Sequence, residues 1–391
     1  MKNYLLFILT LTISHSISAQ DQILSVLQQI EANNPALQVS AQLTKSEILN
    51  AKSSNNLANP TVSYSHLWDS KESSKTESEL EVAQEFEFPT AYLARRKANI
   101  KKTGALEALH QAQRQSILLQ AQEVCLDIIM LNQQQSILDQ RLAYANKLFD
   151  GYQQMMNAGD ATSIELNKIK LEKLNIQTEH AINTANLKKK QIELQELNGN
   201  HPLVFNASTY PNISLPAYDA ILSEVIPSSP NLQNALLEYE AAQRQIAVNR
   251  AGWLPNFSIG YRRNSGNNHH SNGFSVGLSI PLFNNKGKVS SAKAAAMGKS
   301  FAYDLVQNQL QSELSQAYQE ALTMQQQVQA YEGSLNIPEL LALLEKALNG
   351  GELNMTTYFV EVATVYQSAQ NYIQISNLYQ KQLAKLYKHR L

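Results

Sequence analysis

The residues whose types and spacing most clearly suggest a chemical role are four glutamates of one short segment. They stand at odd-numbered positions and alternate with apolar neighbours: Glu79, Glu81, Glu85 and Glu87. Residues two apart in a β-strand share one face, so the pattern predicts a row of carboxylates on a single wet surface. Negative charges that line a narrow aqueous passage favour cations. The alternative is a solvated face without selectivity.

A pair of adjacent histidines is the strongest candidate for metal binding in the sequence. His269 and His270 follow two asparagines in a polar stretch. Adjacent side chains of an extended loop point to opposite sides, and no third ligand is evident. We therefore assign no metal site to this chain.

Two glycine turns are each followed directly by an acidic residue. The pairs are Gly159-Asp160 and Gly351-Glu352, and each interrupts a long helical pattern. An acid in the first turn of a helix stabilises its N-terminus by ~0.3 to 1 kcal/mol. Helix capping is one interpretation of Asp160 and Glu352, and a contact or gating role at the turn is the other.

No catalytic or cofactor motif accompanies these residues. Gly-x-Ser-x-Gly occurs once, at residues 273–277, but it falls inside an alternating segment rather than at the strand-to-helix turn of a nucleophile elbow. The sequence has no phosphate-binding glycine loop and no helical His pair at ligand spacing. We therefore expect neither an enzyme nor a bound cofactor. A net charge of −1 with 17% charged residues argues against a nucleic-acid binder. The single Cys125 cannot form an internal disulfide and reads as a buried apolar residue.

The chain repeats its own plan. Pro35 and Pro230 are separated by the same number of residues as Pro60 and Pro255. Gly159 and Gly351 keep nearly that spacing. Internal repeats of this kind predict a duplicated structural unit. Each copy reads as a helix, two strands and a long helical hairpin.

The repeats define the domain organisation. Lys2, an apolar run and small residues up to Ala19 predict a signal peptide over residues 1–19. The first repeat covers 20–200, a Pro- and Asn-rich surface strap covers 201–218, and the second repeat covers 219–391. No later segment has the ~18 to 20 apolar residues of a membrane-spanning helix.

Four segments alternate between apolar and polar residues, as strands with one wet face do. Their expected bounds are about 60–68, 78–88, 255–263 and 273–282. A soluble sheet packed on helices gives the same alternation. However, strands of this length with polar linkers are typical of membrane barrels. Four strands cannot close in lipid, where unpaired edges cost several kcal/mol per group. Two copies would supply eight strands and three copies twelve, and only the wider barrel holds an aqueous channel, so three copies are expected if the protein conducts.

Two helical hairpins follow the strand pairs. They are expected over about 90–199, with its turn at 157–162, and 287–388, with its turn at 349–355. Apolar residues recur in steps of four and three from Ile117 to Met156, which is typical of coiled-coil packing. Pro338 should kink the second hairpin.

The order of these elements resembles the TolC family of outer membrane efflux proteins over essentially the whole mature chain. The resemblance rests on the duplicated plan, the strand pairs and the turns 156–161 and 348–353. The stretch 82–89, followed by Arg95 and Arg96, resembles the heavy-metal, CzcC/CusC-like branch. Some members of that branch carry a lipid-anchored N-terminal cysteine, which this chain lacks.

The resemblance implies a mainly α-helical protein with a membrane β-barrel. Three copies would form a twelve-stranded barrel in the outer membrane, continued by an α-helical barrel in the periplasm. Residues Gly159, Asp160, Gly351 and Glu352 would dock a periplasmic adaptor (membrane fusion protein), which joins an inner-membrane RND pump. The function implied is a passive exit duct, here for heavy-metal cations.

Three alternatives remain open from the sequence. The first is a duct of the same family for drugs or other organic compounds. The second is a periplasmic adaptor, although an adaptor has one hairpin between half-lipoyl segments whereas this chain has two hairpins and no such flanks. The third is a secreted coiled-coil scaffold without membrane contact.

Overall fold

The computed structural model describes residues 19–68, 76–266 and 269–391. The expected signal peptide, apart from Ala19, and most of the first polar linker therefore lie outside the described residues. The chain divides into two compact units. The sheet unit comprises Ala36–Gln115 and Tyr218–Ser315, and the helical unit comprises the segment ending at Pro35, Ser116–Ala217 and Gln316–Leu391. Each unit takes segments from both sequence repeats.

Long helices make up most of both units. Within the described ranges the α-helices are α1 (Ala19–Asn33), α2 (Pro35–Ser53), α3 (Pro89–Ala158), α4 (Ser163–Leu197), α5 (Tyr218–Ser228), α6 (Pro230–Ala251), α7 (Lys288–Ser334), α8 (Ile337–Asn349) and α9 (Met355–Leu386). A 3-10 turn at Lys388–Arg390 follows. Among the described residues, no helix combines the length and apolarity needed to cross a membrane.

The sheet unit contains a four-stranded antiparallel sheet, as the alternation predicted. Its strands are β1 (Thr61–Trp68), β2 (Thr76–Phe86), β3 (Asn256–Gly266) and β4 (His270–Ser279). They pair in chain order, so that β2 of the first repeat lies beside β3 of the second. Strands β1 and β4 are the two edges of this sheet.

The duplication is visible in where the elements begin. Pro35 and Pro230 are the first residues of α2 and α6, where a missing backbone N–H costs nothing. Pro60 and Pro255 directly precede β1 and β3. The spacing of the prolines therefore corresponds to a repeated order of helix and strand.

The predicted coiled-coil seam of α3, which is the row of residues recurring in steps of four and three from Ile117 to Met156, lies in the core of the helical unit. Ala121, Val124 and Ile128 are at most 3% exposed and pack with Ile23 and Ile30 of α1. The one polar seam residue, Gln135, accepts a hydrogen bond from the Asn183 amide of α4 at 2.9 Å. Its polar side chain is thus satisfied rather than left unpaired in the helix contact.

Two expectations need correction. The strap after α4 is irregular, as predicted, but it is not confined to the surface, because Phe205 and Ala207 are buried in the core cluster of the helical unit. Pro338 does not kink a continuous helix. The chain leaves helical geometry between Ser334 and Ile337, so α7 and α8 are separate helices and Pro338 lies in the first turn of α8.

Candidate functional site

One face of the four-stranded sheet is apolar and exposed. Directly paired residues of an antiparallel sheet lie on the same face, and the register joins Val62 to Val82, Val82 to Tyr261 and Tyr261 to Phe274. The exposed fraction reaches 69% at Val62 and 85% at Phe274. Other exposed apolar residues of this face are Tyr64, Trp68, Leu80, Ile259, Val276 and Leu278.

A contiguous apolar surface of this kind marks an interaction site, because soluble monomers rarely expose one. The same sheet has β1 and β4 as edges, and an edge strand presents unpaired backbone donors and acceptors. Both features are incomplete in a single chain. The apolar face is left uncovered and the edge strands are left unpaired by the described residues.

The opposite face is polar and carries an ion cluster. Arg262 donates from Nε to Glu79 Oε1 at 2.8 Å and from Nη2 to Glu81 Oε2 at 3.3 Å. The Ser275 hydroxyl donates to Glu81 Oε1 at 3.3 Å. The structure therefore brings two of the four predicted glutamates together, around an arginine that the sequence reading did not select. These contacts join the two repeats across β2 and β3.

Glycine is required on this polar face where neighbouring atoms approach closely. A Cβ at Gly260 would lie 2.5 Å from Ser275 Oγ and 3.1 Å from the Val82 carbonyl oxygen. A Cβ at Gly277 would collide with Ser258 Oγ. In contrast, a Cβ at Gly273 would meet nothing within 4 Å. The crowding is local to the middle of the sheet.

The other two predicted glutamates do not join the cluster. Glu85 is an exposed residue of β2. Glu87 was expected to continue the row, but β2 ends at Phe86, and the Glu87 carboxylate instead pairs with Arg95 at 2.6 Å. Glu77 belongs to the row and was missed, because the expected strand began at residue 78 whereas β2 begins at Thr76. The acidic row is therefore Glu77, Glu79, Glu81 and Glu85.

The histidine pair lies at the start of β4. His270 Nδ1 is 2.7 Å from the Ser265 hydroxyl across the β3–β4 hairpin. The His269 carbonyl accepts from the Gly266 N–H at 2.9 Å. No group of three or more His, Cys, Asp or Glu side chains suited to a metal ion occurs within the described residues.

The two glycine turns share one geometry. Gly159 has φ +86° and Gly351 has φ +75°, in the left-handed region that favours glycine. The Asp160 N–H donates to the Met155 carbonyl at 2.8 Å, and the Glu352 N–H donates to the Ala347 carbonyl at 2.9 Å. Together with the glycine N–H bonds, these contacts form a Schellman motif at the end of α3 and of α8.

Helix capping by the two acids is not observed. The N-cap of α4 is Thr162, in a capping box with Glu165, and the N-cap of α9 is Asn354. Asp160 and Glu352 precede these caps and are exposed. They are therefore available for contacts outside the chain. Both turns lie in the helical unit, where the Lys168 ammonium of α4 donates to the Thr356 hydroxyl of α9 at 2.7 Å.

A polar and aromatic cluster fixes the helices that lead into the turns. Arg141 of α3 is 7% exposed and pairs with Glu179 at 2.7 Å and Glu172 at 3.2 Å, both on α4. Its guanidinium also lies 4.8 Å from the ring centroid of Tyr366 on α9. The Tyr358 hydroxyl donates to the Tyr144 hydroxyl at 2.5 Å. Burial and this hydrogen bond raise the pKa of Tyr358 far above its usual value, so the hydroxyl stays protonated.

Comparison with known proteins adds a family match and a fold match. Residues 221–389 match the family model described as outer membrane efflux protein. No curated protein sequence matches this one significantly. A membrane protein from Pseudomonas aeruginosa superposes with TM-score 0.78 at 16% identity, over 99% of each chain.

Two further solved structures are similar at comparable length. CusC, from a study of transmembrane channel formation, gives TM-score 0.78 at 15% identity, over 94% of this chain and 92% of that one. The Campylobacter jejuni CmeC outer membrane channel gives 0.76 at 15% identity, over 96% and 88%. The chain shares the fold of these solved outer membrane proteins. In this fold the mainly helical architecture expected from the sequence is confirmed.

Proteins described by the matching family model are passive channels rather than enzymes. The match covers most of the second repeat. The first repeat has the same order of strands and hairpin in the structure.

Proposed function

We propose that this chain is the outer membrane exit duct of a tripartite efflux system. It passively conducts substrates that an inner-membrane RND pump and a periplasmic adaptor deliver. The observation that carries the proposal is the exposed apolar face of the sheet, where Phe274 is 85% and Val276 79% exposed. A lipid phase is the apolar environment that such a face fits.

Three copies complete the sheet in this proposal. The edges β1 and β4 of neighbouring copies pair, so that no backbone group is left open in lipid. The result is a twelve-stranded barrel with the Glu79–Arg262 face inside, continued by a helical barrel in the periplasm. A barrel of that width holds an aqueous channel, whereas eight strands from two copies would be filled by side chains.

The glycine turns are the proposed docking site for the adaptor. Gly159 and Gly351 hold equivalent Schellman turns, and Asp160 and Glu352 are exposed and cap no helix. We assign adaptor contact or tunnel gating to these four residues. Replacing both acids, as Asp160→Asn with Glu352→Gln, should weaken adaptor binding while the oligomer stays intact.

The membrane location has a direct test. Fractionated cells should hold the protein in the outer membrane, and unboiled gels should show an oligomer of three chains that heating converts to monomer. A monomer in the soluble periplasmic fraction would exclude the duct and leave the scaffold alternative. The adaptor alternative is disfavoured by the two hairpins that the structure contains.

Heavy-metal cations are the proposed cargo. The support is the resemblance of the stretch 82–89, with Arg95 and Arg96, to the CzcC/CusC-like branch. Deleting the gene should then lower tolerance to cobalt, zinc, cadmium, copper or silver. Unchanged metal tolerance together with greater drug sensitivity would instead assign the duct to organic compounds.

A further inference from the structure

Arg262 is the one basic residue on the polar face of the described strands. That face carries Glu77, Glu79, Glu81 and Glu85 on β2, while β1 and β4 contribute uncharged residues to it. We infer that Arg262 sets the ion selectivity of the duct by neutralising one of the two negative charges of the Glu79–Glu81 pair. The inference rests on the proposed function and names the residue that controls its charge preference.

The geometry shows how much of the acidic row is neutralised. Arg262 contacts both Glu79 and Glu81, at 2.8 and 3.3 Å, so one positive charge is shared between two carboxylates. The arginine side chain is 47% exposed, and the carboxylates are 35% and 27% exposed. The cluster therefore keeps one net negative charge, and it remains in contact with water.

Arg262 also has guanidinium N–H donors that the two ion pairs do not use. A guanidinium carries five N–H groups, and the described ion pairs use those of Nε and Nη2. A polar recess of about 300 Å³ lies beside the residue, lined among others by Asn264, Ser271 and Ser275. The positive charge is therefore presented to the aqueous side and acts on passing ions as well as on the two glutamates.

The sequence supplies a matched control in the next residue. Arg263 has the same charge and the same strand, but it stands opposite Leu80 and Asn272 and thus belongs to the apolar face. Removing Arg263 changes the net charge of the protein as much as removing Arg262. Only the loss of Arg262 changes the charge of the polar face.

The test is the reversal potential of the purified full-length protein in planar bilayers under a KCl gradient. We expect the wild type to prefer potassium over chloride. Arg262→Gln should raise the potassium-to-chloride permeability ratio by about twofold or more, because it unmasks a second carboxylate. Glu79→Gln should lower the ratio, and the double variant Glu79→Gln with Arg262→Gln should return it to the wild-type value.

Arg263→Gln should leave the ratio unchanged. An unchanged ratio in Arg262→Gln, or an equal effect of Arg263→Gln, would overturn the inference while the channel itself stands. Wild-type protein that forms no channel would overturn the proposed function as well. If Arg262→Gln does not assemble, the comparison of Glu79→Gln with the double variant decides, since the latter must have the higher ratio.

Discussion

At the scale of single residues, partly buried charges connect the helices of the helical unit. Asp127 of α3 contacts the Lys381 ammonium at 2.6 Å, the Lys190 ammonium at 3.2 Å and the Asn377 amide at 2.9 Å. Burial opposes ionisation of this carboxyl, but the hydrogen bonds and the lysine charges outweigh it and lower the pKa of Asp127. The carboxylate therefore joins α3 to both α4 and α9 in its charged form.

This shift predicts a pH dependence of stability. A carboxyl whose pKa is lower in the folded state stabilises the protein above its unfolded value of about 3.9, and the contribution is lost as the pH falls through the lowered folded value. Asp127→Asn should thus lower the melting temperature at pH 7 and progressively less below pH ~4. Asp150→Asn, at an exposed site on the same helix, should show no such convergence with the wild type. An Asp127→Asn deficit that is constant from neutral to acidic pH would contradict this assignment.

Arg141 gives a second prediction at this scale. Arg141→Met should reduce the free energy of unfolding by about 2 kcal/mol, because Glu172 and Glu179 lose a buried partner. Lys147→Met is the control on the same helix, since Lys147 is 75% exposed where it pairs with Glu345. An exposed pair of that kind contributes less than about 1 kcal/mol. Denaturant unfolding followed by circular dichroism compares the two, and equal losses would refute the role of Arg141.

The sequence found some of these residues and missed others for physical reasons. Cys125 was expected to be buried, and it is 0% exposed with its thiol pKa raised by burial to about 12. Arg141 was missed because a charged residue beside an apolar seam is expected to face solvent. Only the tertiary structure brings it the carboxylates of α4 and the ring of Tyr366.

At the scale of elements, the hydrophobic periodicity and the positions of proline and glycine located most helices and strands. Strand alternation and proline positions gave four strands whose ends lie within a few residues of the expected bounds. Helix α1 was not assigned, although Ile23, Val26, Leu27 and Ile30 have helical spacing and are buried. Its position directly after the expected signal peptide hid this pattern. The ion cluster was beyond the sequence, because register between two distant hairpins decides that Glu81 faces Arg262.

The central sheet gives a prediction at this scale. Gly260→Val should prevent assembly of the heat-resistant oligomer, because its Cβ would press against the Val82 carbonyl oxygen, a backbone atom of the next strand. Gly273→Val places the same side chain on the same face in open space and should assemble normally. Unboiled gels report the oligomer. Normal assembly of Gly260→Val would mean that this face is less crowded than the structure indicates.

At the scale of the whole molecule, the two faces of the sheet differ in their chemistry. The sheet has a polar face with small residues and paired charges, and an apolar face that the chain itself does not cover. In the proposed duct the long helices line the passage, and the apolar face of the sheet meets lipid. In the proposed duct, the two faces of β4 therefore meet different phases, water on one side and lipid on the other.

The most direct test compares two adjacent residues of β4 by cysteine labelling. Ser275 lies on the polar face and Val276 on the apolar face, and the native Cys125 is buried and does not interfere. In intact outer membranes, a charged, membrane-impermeant maleimide should label the Ser275→Cys variant and leave the Val276→Cys variant unlabelled until the protein is unfolded. Equal labelling of both variants in intact membranes would contradict the placement of the two faces in water and in lipid.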